Sequence, residues 1–236
     1  MAAQVAGSAR SLTQAAGGVA TGLVDADPAL SFVPRTFYQK RGKRMMDLAV
    51  SSLALLLLSP LFLILCIAIR LESRGSPFYL STRLGRQARP FAFIKFRSMV
   101  AGADRMKAEL EHLNEMDGPV FKIRYDPRTT RMGRLLRKTS LDELPQLINV
   151  LRGEMSLVGP RPPIPEEVER YEPWQRRRLS VTPGITCLWQ VSGRNRVSFA
   201  EWMKMDMEYI DRLGFGMDLK VLALTLPAVL RGVGAS

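Results

Sequence analysis

An uncharged segment of 22 residues, Leu48 to Ile69, restricts the fold more than any other feature of the sequence. A helix rises about 1.5 Å per residue, so this segment can cross a bilayer core about 30 Å thick. Ser59 and Pro60 lie at its middle. Pro60 has no N–H for the carbonyl of Leu56, and its ring clashes there, so we expect a bend or break in the membrane helix at Ser59-Pro60.

Basic residues flank the apolar segment on both sides, with Lys40 to Arg44 before it and Arg70 to Arg89 after it. The positive-inside rule places both flanks in the cytoplasm. A straight spanning helix cannot satisfy this, whereas a re-entrant helix with two arms of about 11 residues, each about 17 Å long, can. Because spanning helices with proline kinks are common, the sequence favours the re-entrant helix and leaves the spanning one open.

The net charge of +12 is concentrated around this segment. Residues 35–138 hold 21 basic and 8 acidic residues, whereas residues 139–236 hold 12 of each. A basic block beside an apolar segment favours an anionic membrane surface over nucleic acid as the partner. A single histidine and two cysteines exclude a histidine-rich metal site and a disulfide framework, so any chemistry must use carboxylates, lysines and arginines.

The predicted fold class is α+β and mainly α, in three regions. Residues 1–34, rich in Ala, Gly and Ser, predict a disordered tail. Residues 35–75 hold the basic flank and the membrane helix, and residues 76–236 form a globular domain with interfacial helices.

Three local patterns describe the globular domain. The runs Phe78–Arg83 and Phe91–Arg97 predict a β-hairpin. Apolar residues at helical spacing predict a helix over Ala101–Met116. The apolar run Leu219–Leu230 is too short to span and contains Pro227, so it predicts an amphipathic helix in the plane of the membrane.

Two adjacent carboxylates, Asp142 and Glu143, follow Arg137 and Lys138 and form a cluster of mixed charge with them. Ser140 stands three residues before Glu143, which is the spacing of a capping box, and a helix follows by its apolar period. On that interpretation the carboxylates only suit the dipole of a helix N-terminus. The alternative is chemical, because a carboxylate can bind Mg²⁺ or attack phosphorus.

Several arginines could hold phosphate oxygens in paired hydrogen bonds. Arg161 stands between Pro160 and Pro162, which stiffen the backbone around it, and Arg194 follows Gly193. Four arginines recur every third residue from Arg128 to Arg137, either as a solvated or headgroup-facing edge or as a row facing phosphates. Neither a Walker loop nor a dinucleotide-binding glycine fingerprint is present.

Together these motifs resemble the bacterial sugar transferases, the monotopic polyprenyl-phosphate sugar-1-phosphate transferases. The resemblance runs from Tyr38 to the C-terminus, and it rests on the order of several short motifs. They are Lys43–Asp47, Ser59-Pro60, Lys95–Met99, Asp126–Arg128, Thr139–Gln146, Ser156–Pro162 and Pro183–Asn195.

The resemblance implies a re-entrant helix in the bacterial inner membrane and a catalytic domain on its cytoplasmic face. It implies a Mg²⁺-dependent phosphoglycosyl transferase that moves a sugar 1-phosphate from a UDP-sugar to a polyprenyl phosphate, with undecaprenyl phosphate as the expected lipid. UMP would leave, a phosphosugar-aspartate would form, and the product would start exopolysaccharide or glycoconjugate assembly. By position, Asp142 matches the catalytic aspartate and metal ligand, and Glu143 its partner. The matching phosphate-binding residues are Lys95, Arg137, Arg161 and Arg194.

Two alternatives stay open beside this expectation, a non-catalytic membrane scaffold and a membrane-tethered nucleic-acid binder. The second would explain the basic block but not Asp142-Glu143, so we expect inner-membrane lipids and no nucleic acid as partners. Two residues depart from the family pattern. Thr182 stands where Lys or Arg is expected, and Cys187 stands where Gly is expected. The transferred sugar, the glycan pathway and the oligomeric state, a homodimer included, stay open.

Overall fold

The computed structural model describes residues 28–123, 125–192 and 197–230. This part of the chain is mainly helical and contains two small two-stranded sheets, as the α+β prediction expects. Most of the predicted tail and Arg194 lie outside the described residues.

Helix α1 spans Lys43–Glu72 and follows a π-helical turn at Tyr38–Gly42. Within the described residues it is the one helix long and apolar enough to cross a membrane. The helix continues through Pro60, so the helical hydrogen-bond pattern is not interrupted there, and the predicted bend stays a prediction. The Ser59 hydroxyl donates to the Leu56 carbonyl at 2.8 Å, which gives a partner to the oxygen that Pro60 cannot serve.

Both ends of α1 contact the same folded part of the chain. At its start, Lys43 Nζ lies 2.6 Å from Asp218 Oδ2, and at its end Glu72 accepts from the Met132 amide at 3.0 Å. Between these ends, the apolar middle of α1 is largely uncovered. Its exposed side chains include Leu53, Leu56, Leu57, Leu63 and Ile64.

The predicted hairpin is confirmed. Strand β1, Phe78–Leu84, pairs antiparallel with β2, Pro90–Phe96, around a 3₁₀ turn at Arg86–Ala88. A second sheet pairs β3, Ser156–Val158, in parallel with β4, Gly184–Thr186. The polypeptide leaves β3 directly into the proline-rich loop that carries Arg161.

The other helices of the described chain are short, apart from the last two. In chain order they are α2 Arg131–Lys138, α3 Gln146–Arg152, α4 Pro165–Glu169, α5 Pro173–Arg176, α6 Leu188–Ser192, α7 Phe199–Asp211 and α8 Phe215–Leu230. Helix α8 contains Pro227 and buries Asp218 and Val221, while Phe215 and Leu219 stay exposed. This apolar exposed face fits the predicted amphipathic helix, whose membrane position stays a prediction.

The predicted helix over Ala101–Met116 is wrong. The segment forms two short 3₁₀ helices, Ala103–Met106 and Ala108–Leu113. Met106 and Leu113 are exposed, so the apolar spacing meets no surface against which a longer helix could bury it.

Candidate active site

Asp142 lies on a tight 3₁₀ turn, Leu141–Glu143, between α2 and α3. The expected capping box at Ser140 is wrong, because this residue adopts a left-handed backbone (φ 56°) and its side chain caps no amide. Leu141 packs against the apolar cluster around Leu65 and Ile69 of α1. Tertiary packing against the second half of the apolar helix therefore accompanies a turn where local spacing predicted a regular helix start.

A cavity of about 240 Å³ lies beside this turn. Five of the six predicted catalytic and phosphate-binding residues line it. They come from the hairpin, from α2, from the Leu141–Glu143 turn and from the loop after β3. They are Lys95, Arg137, Asp142, Glu143 and Arg161. The structure thus brings these side chains together, while Arg194 lies outside the described residues and the individual roles stay predictions.

The Asp142 side chain is buried, with the residue 7% exposed. The pKa of this carboxyl is raised to about 6, first by burial and then by the adjacent Glu143 charge, while Lys95, Arg137 and Arg161 act in the opposite direction. A carboxylate with this pKa is largely ionised at neutral pH and poorly solvated, which favours reaction with an electrophile.

Lys95, on β2, and Arg137, on α2, are two basic residues that line the cavity from regular secondary structure. Burial lowers the pKa of Lys95 to about 8, and the Asp142 charge partly offsets this. Its ammonium lies 5.6 Å from the centroid of the Tyr79 ring, across the hairpin. The Arg137 guanidinium donates to Thr129 Oγ1 at 3.0 Å, so the side chain is oriented before any ligand arrives.

The four arginines that recur every third residue, Arg128 to Arg137, do not all lie on one helix. Arg128 precedes α2 and forms a buried ion pair with Asp126 at 2.6 Å. Of the four arginines, only Arg137 lines the cavity. Of the four, Arg128 forms a structural ion pair, Arg131 and Arg134 are exposed, and Arg137 is a candidate phosphate ligand.

Arg161 follows β3 and reaches Glu143 across the cavity, at 2.9 Å between Nη1 and Oε1. Glu143 is engaged in this ion pair, and Asp142 is the other carboxylate of the turn. A guanidinium held in this way presents its other N–H groups to an anionic ligand.

Sequence reasoning missed several lining residues. Arg83 donates to the Pro162 carbonyl at 3.1 Å, and its guanidinium lies over the Phe93 ring. A signal existed, because the strand period places Arg83 on the same face of β1 as Tyr79, the partner of Lys95.

Trp189 is buried and also lines the cavity. Its ring stacks on Trp202, with centroids 4.3 Å apart and planes 13° from parallel. The Lys122 ammonium lies 5.9 Å from the Trp189 ring centroid. The cavity therefore combines charged groups with an aromatic wall.

The charge of the cavity lining is predominantly positive. Its basic members are Arg83, Lys95, Lys122, Arg137 and Arg161, and its acidic members are Asp142, Glu143 and Glu167. Such an excess suits a ligand with several negative charges.

A resident all-protein metal cage does not fit this site, since among the described residues no three His, Cys, Asp or Glu side chains are grouped so that they could hold a metal ion. Mg²⁺ is commonly held by one or two carboxylates together with substrate phosphates. Asp142 supplies an oxygen donor of that kind, so the site fits a Mg²⁺ ion that arrives with a phosphorylated ligand.

Comparison with known proteins identifies the family. The family model "Bacterial sugar transferase" matches residues 38–232. The chain is 46% identical over 194 residues to the galactosyl transferase CpsE of Streptococcus agalactiae, an alignment that covers 82% of this chain and 43% of CpsE. It is 42% identical over 197 residues to the exopolysaccharide production protein ExoY of Rhizobium meliloti, covering 82% of this chain and 87% of ExoY.

A third relative is the undecaprenyl-phosphate galactose phosphotransferase of Salmonella typhimurium, 41% identical over 201 residues. That alignment covers 82% of this chain and 41% of the Salmonella protein. The chain thus spans less than half the length of two of these relatives and most of the third. From Tyr38 onward, the chain belongs to the bacterial sugar transferase family.

Proposed function

We propose that this chain transfers a sugar 1-phosphate from a UDP-sugar to a polyprenyl phosphate, with undecaprenyl phosphate as the lipid, and releases UMP. The product would start the assembly of an exopolysaccharide or a glycoconjugate. The names of the Salmonella and Rhizobium relatives support the lipid and the pathway class. One observation carries the proposal: a buried carboxylate, Asp142, lines a basic cavity on a turn that packs against the apolar helix.

In the first step, an Asp142 oxygen attacks the β-phosphorus of the UDP-sugar. The bond between this phosphorus and the bridging oxygen breaks, UMP leaves with the electron pair, and a phosphosugar-aspartate forms. In the second step, an oxygen of the polyprenyl phosphate attacks the same phosphorus. The bond to Asp142 breaks, the carboxylate is restored, and polyprenyl diphospho-sugar is released.

The basic residues stabilise the negative charge at the reacting phosphorus. Lys95, Arg137 and Arg161 line the cavity with Asp142, and their fixed positive charges suit a diphosphate in a poorly hydrated site. We assign Arg194 the same role from the family resemblance alone. Glu143 orients Arg161 through their ion pair.

We also propose that the reaction uses Mg²⁺. The ion would be held by Asp142 and by the donor's phosphates, and when bound it would offset the charge of the diphosphate.

The contacts of α1 and its exposed apolar middle support a re-entrant membrane helix. Both ends of α1 contact the same folded part of the chain, and the uncovered leucine-rich middle offers a surface for lipid. By the positive-inside rule, the basic flanks favour the cytoplasmic face of the bacterial inner membrane for that folded part. A water-soluble donor and a lipid acceptor can then reach the same carboxylate.

The decisive assay is UMP release by the purified protein from a panel of UDP-sugars, with polyprenyl phosphate and Mg²⁺ present. Release with one sugar supports the proposal and names the donor. No release from any sugar contradicts it, and a steeply salt-dependent affinity for DNA would then favour the nucleic-acid binder.

Isotope exchange tests the covalent step separately. Labelled UMP should enter UDP-sugar in the absence of lipid, because the first step is reversible on its own. An otherwise active enzyme without exchange would exclude the phosphosugar-aspartate.

A further inference from the structure

The loop that carries Arg161, residues 160–163, is held at four consecutive backbone carbonyls. Three of its four residues are prolines, which have no N–H, so the loop can be fixed mainly through these oxygens. In chain order, the carbonyls accept from the Gly184 amide, the Arg178 guanidinium, the Arg83 guanidinium and the Leu84 amide, at 2.9, 2.9, 3.1 and 2.9 Å. The bond from Arg178 is made to the carbonyl of Arg161 itself.

Arg178 lies behind this loop and is 2% exposed. Its guanidinium donates to the Tyr171 hydroxyl at 2.6 Å and lies 2.9 Å from a carboxylate oxygen of Asp206. The Tyr171 and Trp202 rings pack against it, with centroids 5.6 and 5.1 Å away. Arg178 is not among the residues that line the cavity, so it can influence a bound ligand only through a neighbour.

The charge of Arg178 is balanced inside the protein. Asp206 is 1% exposed, and an ion pair buried this deeply is costly to desolvate unless its geometry is useful. The planar guanidinium supplies N–H groups in several fixed directions, which a lysine ammonium on a flexible stem does not reproduce. The arrangement therefore ties the Arg161 backbone to α7 through one rigid group.

We propose that Arg178 is a positioning residue, which fixes the Arg161 backbone so that the Arg161 guanidinium points at Glu143 and the reacting phosphates. This inference rests on the proposed function for the identity of the ligand. Its physical basis is that a displacement of about 1 Å in a catalytic group can cost about a hundredfold in rate.

A double-mutant cycle with Arg161 tests the inference. Arg178→Lys keeps the charge beside Asp206 and should lower kcat/KM for UMP release by about 10- to 100-fold. In the Arg161→Lys background, the same substitution should cost less than about twofold, because the group that Arg178 positions has already been changed. Equal losses in both backgrounds would show a merely structural role and overturn the inference.

The matched control is Arg177→Lys, the same substitution at the adjacent position. Arg177 forms a half-exposed pair with Asp211 on the surface, so kcat/KM should stay within about twofold. If Arg178→Lys does not fold, as judged by thermal unfolding, the pair Arg178→Gln/Asp206→Asn removes both buried charges together. That pair should show the same dependence on Arg161, and additive losses there would also refute the inference.

A binding measurement separates this inference from the proposed function. The same cycle can be run on the dissociation constant of UMP, which needs no turnover. If the wild-type protein binds UMP but releases none from any UDP-sugar, the proposed function fails, and the cycle on UMP affinity still decides the role of Arg178. If release occurs and both cycles are additive, only the inference fails.

Discussion

The Arg161 guanidinium lies 2.9 Å from the Glu143 carboxylate, beside the buried Asp142 and within the same cavity. This ion pair gives the two adjacent carboxylates, Asp142 and Glu143, different surroundings. Glu143 forms an ion pair with an arginine from the proline-rich loop. Burial and, next, the nearby Glu143 charge raise the pKa of Asp142. The arrangement makes Asp142 the carboxylate suited to attack phosphorus.

Replacing Asp142, the proposed nucleophile, should abolish turnover. Asp142→Asn keeps the size of the side chain but removes the attacking oxygen, so UMP release should fall by at least about a thousandfold. The matched control is Asp211→Asn, at an exposed position away from the cavity, which should keep wild-type activity. An active Asp142→Asn enzyme would refute the assignment.

The acidic limb of the pH–activity profile should report Asp142. Its pKa of about 6 means that kcat/KM falls below that pH, because a protonated carboxyl is a poor nucleophile. Glu143→Gln removes a neighbouring negative charge, which lowers the pKa of Asp142 and should move the limb to lower pH by about one unit. Glu109→Gln, at an exposed position outside the cavity, should leave the limb in place. A limb that moves to higher pH in Glu143→Gln would contradict this cause.

The alkaline limb should report Lys95. Burial lowers its pKa to about 8, so the ammonium loses its charge above that pH and phosphate binding weakens. In Lys95→Arg the group stays charged throughout, so the enzyme should keep part of its activity while the alkaline limb disappears. An unchanged limb in this variant, measured as kcat/KM against pH, would assign it to another group.

Asp142→Asn, which should abolish activity, should also stabilise the unliganded protein at neutral pH. The folded pKa of Asp142 is raised from 3.8 to about 6, so its contribution to stability is lost as pH rises through this interval. Above pH 6 the buried charge destabilises the fold by about 1–3 kcal/mol. Asp142→Asn should therefore unfold at a higher temperature at neutral pH, and its advantage should vanish near pH 4. An equal or lower unfolding temperature at neutral pH would contradict this.

Cysteine labelling should find both ends of α1 on one side of the membrane. Arg41→Cys and Arg74→Cys, each in a Cys66→Ala background, place single exposed thiols before and after the apolar segment. The native Cys187 is buried, so it should stay unlabelled. Asp211→Cys marks the side of the folded part. Labelling of Arg41→Cys and Arg74→Cys from opposite sides would show a spanning helix.

Local patterns predicted those elements whose signals are complete within a short stretch. The hairpin follows from two aromatic-rich runs around a turn, and its strands begin and end within a residue of the prediction. Two local signals failed because they depended on other parts of the chain. At Ser140 the chain forms a tight turn beside Leu141, which packs on α1, and the apolar Met106 of the predicted helix over Ala101–Met116 stays exposed.

The sequence by itself determined the chemistry that is available: one long apolar segment, a basic block around it, two adjacent carboxylates and an arginine between prolines. Only the tertiary structure decided that Lys95, Asp142 and Arg161 line one cavity, and that the buried Arg178 holds the loop from behind. The physical reason is that composition and spacing act along the chain, whereas cavities and buried hydrogen bonds depend on which distant surfaces pack together.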